Sequence, residues 1–518
     1  MKSVMQHTFS QVPKANIERS SFNRSHGLKT TFDAGYLIPI FIDEALPGDT
    51  FNLSASLFGR LATPITPIMD NIFLDTFFFS VPMRLIWNNW QRFNGEQDDP
   101  GDSTDYLEPI MTSPVGGFTE QSLSDYFGIP TKIAGLPVNS KFHRAYNLVW
   151  NEWFRDQNLQ DRVVVDKDDG PDDPADYVIL KRGKRHDYFT SCLPWPQKGP
   201  AVQLPLGTSA PIYADAPFDG SGGTSNTLTV RKTSDDTEHA LGANVSVVYG
   251  ANGVTDGADM YANLTDATAA TINELRQAFQ IQRIFEKDAR GGTRYIEMVK
   301  AHFGVISPDA RLQRPEYLGG FTTNVNLHSV PQTNSTDATS PQGNLAAYGT
   351  VSNTGRGFGH SFTEHCVIIG LVCARADLNY QQGLNRMFSR RTRWDYFWPA
   401  LSHIGEQAVL NKEIYAQGTS ADDEVFGYQE RYAEYRYKPS LVTGRMRSNA
   451  TQPLDIWHLS QEFGSLPALN DEFIEENPPI DRVVAVTDEP DFILDCYFSL
   501  NCVRPMPVYS VPGLIDHF

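Results

Sequence analysis

Apolar and polar residues are arranged in strand-length runs near both ends of the chain and switch to helical spacing in between. Residues 36–42, 51–58 and 72–81 are apolar or alternating runs divided by turn formers such as Pro47-Gly48-Asp49, which predicts three consecutive strands with antiparallel pairing. A further apolar run covers 363–373. Near the C-terminus Phe492, Leu494, Cys496, Phe498, Leu500 and Cys502 alternate with Asp495, Tyr497, Ser499 and Asn501. A period of two places the apolar set on one face, so this is the cleanest two-faced strand in the chain. In the middle, Phe142, Tyr146, Val149, Trp150, Trp153 and Phe154 recur at i, i+4, i+7, i+8, i+11 and i+12, one apolar face of a helix. Thr271 with Glu274 forms a capping box that opens a second predicted helix, carrying Ile272, Leu275, Phe279 and Ile284 and stopping at Gly291-Gly292. A third helix is predicted over 293–303. Strands at both ends without a linker-like break between them predict one sheet core interrupted by long helical insertions, with the first and last strands in the same core.

Two segments stand outside this pattern. Residues 1–34 are polar and basic, with Lys14, Arg19, Arg24, His26 and Lys29 against only Glu18 and Asp33. They read either as a flexible arm or as a terminus that hugs the surface. Residues 201–270 are rich in Gly, Ala, Ser, Thr, Asn and Asp, lack Trp and Cys, and hold eight acids against Arg231 and Lys232. Short alternating pieces at 227–231 and 244–249 favour a compact projecting module with small strands over a floppy loop.

Composition narrows the class. The 518 residues include 31 Phe, 21 Tyr, 33 Pro and 39 Gly, which favours strands and long loops over a helical bundle. A net charge of -19 argues against coating duplex DNA along the whole surface, because such binding rests on phosphate neutralisation; nucleic-acid contact must be local. The five cysteines, Cys192, Cys366, Cys373, Cys496 and Cys502, are odd in number and sit mostly in apolar runs. They read as buried thiols of a reducing compartment, not a disulfide frame. Residues 1–10 lack the apolar stretch of a signal peptide, and the apolar run at 367–374 is too short to span a bilayer.

Signatures of catalysis are sparse. There is no Walker A pattern or GxSxG elbow, and Gly355-Arg356-Gly357-Phe358-Gly359 reads as a flexible loop. His360, Glu364 and His365 have the wrong spacing for a zinc helix, and Cys366 and Cys373 lie too far apart for a structural zinc pair. No metal, cofactor or catalytic residue is expected. Glu462 and Asp471 are available as paired carboxylates, but nothing in the sequence fixes the separation of roughly 5 to 10 Å that a glycosidase needs.

Two basic clusters matter more. Arg386, Arg390, Arg391 and Arg393 are interleaved with Phe388 and Trp394, a mixture suited to phosphate pairing and base stacking. These four arginines with Trp394 are the candidate DNA contacts, and a salt-bridged surface is the equally weighted alternative. The run 181–186, Lys-Arg-Gly-Lys-Arg-His, follows an acidic stretch at 166–176, which predicts mutual neutralisation.

Several long strings carry a resemblance. They are Ser20-Ser21-Phe22-Asn23-Arg24-Ser25-His26, Trp90-Gln91-Arg92-Phe93-Asn94-Gly95-Glu96 and Leu193-Pro194-Trp195-Pro196-Gln197-Lys198-Gly199. With them go 428–440, reading YQERYAEYRYKPS, and Gly444-Arg445-Met446-Arg447-Ser448. In these the chain resembles the major capsid proteins of gokushoviruses, within the Microviridae. The resemblance implies a mainly β fold, an eight-stranded antiparallel jelly-roll barrel with long, partly helical loop insertions. It divides the chain into an arm at 1–34, a first barrel part at 35–200, a threefold surface projection at 201–270 and the rest of the barrel at 271–518. It implies no enzyme, but a T=1 shell of about 60 copies around circular single-stranded DNA. The implied partners are other copies of the chain, the packaged DNA, a small internal DNA-binding protein, a pilot protein and a host-surface receptor, with no membrane insertion. Assembly would take place in the bacterial cytoplasm. A β-rich carbohydrate-binding module or hydrolase is the competing class; sedimenting spherical particles would separate the two.

Overall fold

The computed structural model describes residues 17–200 and 202, short strands at 212–214, 229–231, 238–240 and 260–262, and residues 272–306, 313–337 and 341–509. It divides into two compact units, Met1–Pro196 with Gly291–Phe518, and Gln197–Arg290.

The first unit is built on two antiparallel sheets. Its strands are β1 (Ser20–Asn23), β2 (His26–Phe32), β3 (Ile38–Ala45), β4 (Thr50–Leu61), β5 (Ile72–Pro82), β6 (Glu316–Asn324), β7 (Asn326–Pro331), β8 (Leu345–Ser361), β9 (Cys366–Ala376), β10 (Glu406–Leu410), β11 (Val425–Glu430) and β12 (Phe492–Arg504). One sheet runs β2, β12, β4, β8, β7, with β1 continuing the β2 edge; the other runs β6, β5, β9, β3. Apart from β1 to β2, β5 to β6 and β7 to β8, successive strands of these two sheets cross from one to the other, and the first and last strands share one core. The inner faces meet in a core that joins Phe41 and Phe78 of one sheet to Phe498 and Phe358 of the other, with ring centroids 5.2 Å and 5.4 Å apart.

The chemistry of each strand follows from what covers it. Strand β12 alternates from Phe492 to Cys502, its odd-numbered residues outward, because the outer face of its sheet is open: Ile493 and Tyr497 are more than half exposed. Strand β9 is buried along its whole length. Its outer residues Val367, Ile369, Leu371 and Cys373 pack under helix α1 (Lys141–Val149), against Ala145, Tyr146 and Val149. The predicted apolar helix face is therefore the lid of this sheet, and the chain continues beyond α1 as a π-helical turn, Trp150–Phe154. Gly370 is required in β9 because a Cβ there would lie 2.8 Å from Phe41 Cβ and from the Phe78 ring.

Helices α2 (Ile272–Gly291) and α3 (Tyr295–Phe303) coincide with the second and third predicted helices. Thr271 of the expected capping box and the expected strand at 244–249 lie outside the described residues, while Thr229–Arg231 is a strand paired with Glu238–Ala240. All five cysteines are free and buried.

Three expectations are corrected. Residues 20–32 are not an arm, for β1 and β2 pair with β12 from Ser20↔Arg504 to Phe32↔Phe492. Of the basic residues that suggested an arm, His26 and Lys29 lie on β2, and Lys29 pairs across the sheet with Asp495. The glycine run at 355–359 is not a loop. It belongs to β8, where a register shift between Asn353 and Arg356 brings Gly357 so close to β4 that a Cβ would sit 2.0 Å from the Leu53 carbonyl oxygen. Nor do the 181–186 cluster and the 166–176 acids neutralise each other. Arg182 pairs with Asp75, Lys181 approaches Glu475 at 4.0 Å, and Lys184 donates to Gln461 and to the Phe473 carbonyl. The acidic stretch instead supplies Asp172 to the fully buried Arg144 of α1.

Candidate nucleic-acid interface

Between β9 and β12 the chain leaves the two main sheets for residues 377–491. The β10–β11 hairpin gives this excursion a small core of its own, in which Val409, Ile414, Phe426 and Ala433 pack with Tyr188, Phe189 and Phe473. Buried polar groups then fix the arginine segment on it. Glu413 is buried and accepts hydrogen bonds from Arg386 Nη1 at 2.9 Å, the Leu410 amide at 3.0 Å and the Tyr188 hydroxyl at 2.8 Å. Burial pushes the Glu413 carboxyl upward, and the Arg386 charge and the Leu410 amide oppose that rise. Glu434 accepts from Gln407 at 3.0 Å and from Arg390 at 3.5 Å. The Arg390 guanidinium also lies 4.4 Å from the Tyr435 ring centroid, a cation–π contact.

The four candidate arginines thus separate into two pairs. Arg386 and Arg390 are staples between the segment and its small core, as the salt-bridge alternative holds. Arg391 and Arg393 are exposed and make no ion pair among the described residues. They sit on a turn tied by Asp395, whose carboxylate accepts from the Arg391 and Thr392 amides and the Thr392 hydroxyl. Those amide bonds hold the Asp395 carboxyl below its usual range. The Arg393 guanidinium lies 4.0 Å from the Trp394 ring centroid, and the Trp398 indole donates to the Arg393 carbonyl at 2.8 Å.

Around this turn the surface is aromatic. Phe388 is 71% exposed, Trp394 51%, Tyr396 53%, Phe397 50% and Trp398 47%. Isolated apolar residues on a surface need no explanation, but five large rings on one short segment beside two uncommitted guanidiniums form a patch. Flat rings can stack unpaired bases whatever their sequence, at about 1 to 3 kcal/mol per base, while guanidinium groups pair with phosphates.

Sequence reading found Arg391, Arg393 and Trp394 but missed Tyr396, Phe397 and Trp398. It also missed Arg431, which lies against the Tyr432 ring and reaches the Trp394 carbonyl at 3.5 Å. The signal was present in the aromatic and basic string at 428–440, which served only as a mark of resemblance. The imidazoles of His360 and His365 go separate ways, the first 3.8 Å from Glu316 and the second edge-on to Trp90. Among the described residues no group of three or more His, Cys, Asp or Glu side chains could hold a metal, and no helix is long and apolar enough to cross a membrane.

Comparison with known proteins covers almost the whole chain. Residues 10–514 match the family model described as capsid protein (F protein). The capsid protein VP1 of Bdellovibrio phage phiMH2K is 52% identical over 530 residues, covering 99% of this chain and 98% of the relative. The capsid protein VP1 of Chlamydia phage 1 is 46% identical over 587 residues, covering 99% and 98%. That of Spiroplasma virus 4 is 37% identical over 540 residues, covering 98% and 97%.

Proposed function

Because the chain belongs to the phage capsid protein (F protein) family, and is a structural protein of the virion and not an enzyme, we propose that it closes into a T=1 shell of about 60 copies around circular single-stranded DNA. Eight of its strands form the jelly-roll of that shell. Two sheets ordered β2, β12, β4, β8 and β3, β9, β5, β6 support the barrel, since each antiparallel strand pairs with neighbours remote in sequence. Apolar side chains left bare in one copy support burial between copies. Tyr295 and Phe303 of α3 are 80% and 77% exposed, Ile306 is 70% and Tyr509 80% exposed, and such residues are the material of protein interfaces. Many modest contacts suffice, because each copy is held by several neighbours at once.

DNA contact is carried by one observation, the exposed turn that presents Trp394 with Arg391 and Arg393, whose guanidiniums make no ion pair among the described residues. In this reading the turn faces the packaged strand, and the insertion at 201–270 faces the host. The double change Arg391→Gln with Arg393→Gln is expected to lower the DNA content of particles, read as the ratio of absorbance at 260 and 280 nm, while shells still form. Full DNA content would end this assignment. Excising residues 205–265 is expected to leave shells and reduce infection; loss of shells would make that segment an assembly interface instead.

A further inference from the structure

The run 181–186, Lys-Arg-Gly-Lys-Arg-His, is basic and passes over an aromatic surface. It borders a cavity of about 620 Å³ on the outer face of the covered sheet, against β5, β6 and the π-helical turn. The walls are aromatic. Phe77 packs on Phe154 at 5.3 Å, Phe79 on Trp153 at 5.5 Å and Trp153 on Tyr317 at 6.0 Å between ring centroids.

The rim is cationic. Arg182 and Lys184 are engaged by Asp75, Gln461 and the Phe473 carbonyl, as above, and Arg155 and Arg185 also line the cleft. Arg185 is exposed and makes no ion pair among the described residues. Arg155 donates one bond, to the Gln160 carbonyl at 3.1 Å, and its Nε is buried without a partner. A buried donor left unpaired is costly, which makes it an observation in need of a ligand. Burial lowers the Arg155 pKa, the nearby charges of Arg294 and Arg162 add to that, and Glu152 and Asp156 oppose it. A further guanidinium, Arg314, lies 4.5 Å from the Trp153 ring centroid. Asp156 is the one acid among the lining residues, and its Oδ1 accepts from the Asn158 amide.

The ligand that suits these walls has a flat face and a negative charge. Inorganic phosphate would leave the rings unused, and an apolar peptide would leave the Arg155 Nε unpaired and the cations unanswered. We propose that the cleft holds one unpaired nucleotide of single-stranded nucleic acid, its base against Phe79, Trp153 and Tyr317 and its phosphate between Arg155 and Arg185. The inference rests on the shell reading only for the source of that nucleotide. It gives the chain a second contact, separate from the turn at 391–394.

Photocrosslinking of the full chain, dissociated from particles, to a thymidine decanucleotide tests this without assembly or packaging. Adducts are expected on the peptides that bear Trp153 or Tyr317. Arg185→Gln, an exposed change that leaves the fold intact, should lower their yield about tenfold at low salt. Thymidine monophosphate should compete, inorganic phosphate at equal concentration should not, and the adducts should persist in the Arg391→Gln, Arg393→Gln variant. Adducts confined to 388–398, an unchanged yield in Arg185→Gln, or equal competition by inorganic phosphate would each overturn the assignment while leaving the shell reading intact. Failure of the unaltered chain to form shells would sink that reading and not this site.

Discussion

Strands β9 and β12 lie in the two facing sheets of the same core and obey different rules. Every residue of β9 is buried, whereas the outward residues of β12 are exposed. The difference is made by α1 and the segments around it, which cover one sheet and leave the other open. A continuous apolar strand marks a sheet buried on both faces, and an alternating strand marks one buried on a single face. Covering a sheet also imports polar burdens. The lid carries Arg144, fully buried, with its Nε 2.7 Å from Asp172 and its Nη1 2.9 Å from the Asp168 carbonyl. It also carries His143, buried against Phe127 and Tyr177 and hydrogen-bonded to Ser124 at 2.9 Å.

The comparison can be broken most severely at Arg144. Arg144→Met leaves Asp172 charged and unpaired in the lid, and about 3 to 5 kcal/mol of stability should be lost. A urea midpoint unchanged within error would show that the lid contributes nothing. Truncating the covered strand comes next. Ile369→Ala should cost about 2 to 5 kcal/mol, since the space it vacates is closed on all sides, whereas Ile493→Ala on the open strand should stay within about 0.5 kcal/mol. Equal losses at the two positions would refute the distinction between the sheets.

Acid should discriminate between the layers as well. Burial lowers the His143 pKa to about 4, and the Asp172 charge opposes that shift. The unfolded chain takes up the proton near pH 6.5 while the folded chain resists it, so stability falls as pH drops from about 6.5 to about 4. His143→Gln should remove that loss, worth up to about 3 kcal/mol at the acid end. A pH profile identical to that of the unaltered chain would place the acid sensitivity elsewhere. The smallest effect on stability is expected at the exposed turn. The double change Arg391→Gln and Arg393→Gln should alter it by no more than about 0.5 kcal/mol, whereas Arg386→Gln leaves Glu413 buried and unpaired and should cost about 3 kcal/mol. Equal costs would erase the division between stapling and free arginines.

Apolar periodicity and run length were enough to find the strands at 36–42, 51–58, 72–81, 363–373 and 492–502 and the three helices, because side chains that face a packed layer are apolar whether one face is covered, as in β12, or both, as in β9. The strings shared with phage capsid proteins were legible too, and with them the family. The glycine run at 355–359 was misread because a strand of small residues looks like a loop until the neighbouring carbonyl of Leu53 explains it. Residues 20–32 were misread because a basic edge strand carries its charge on the open face, as Lys29 does. For the arginine cluster, sequence supplied the charge but could not say which members were spent. Glu413 and Glu434 lie 27 and 44 residues from the arginines they bind, and no local pattern encodes pairs at that distance. Local spacing alone therefore determined five strands and three helices, and the apolar face of those that have one. Which sheet is covered, which arginines are free and which rings share a cleft were decided only by tertiary packing, because those properties depend on contacts between segments whose separation in sequence bears no relation to their distance in space.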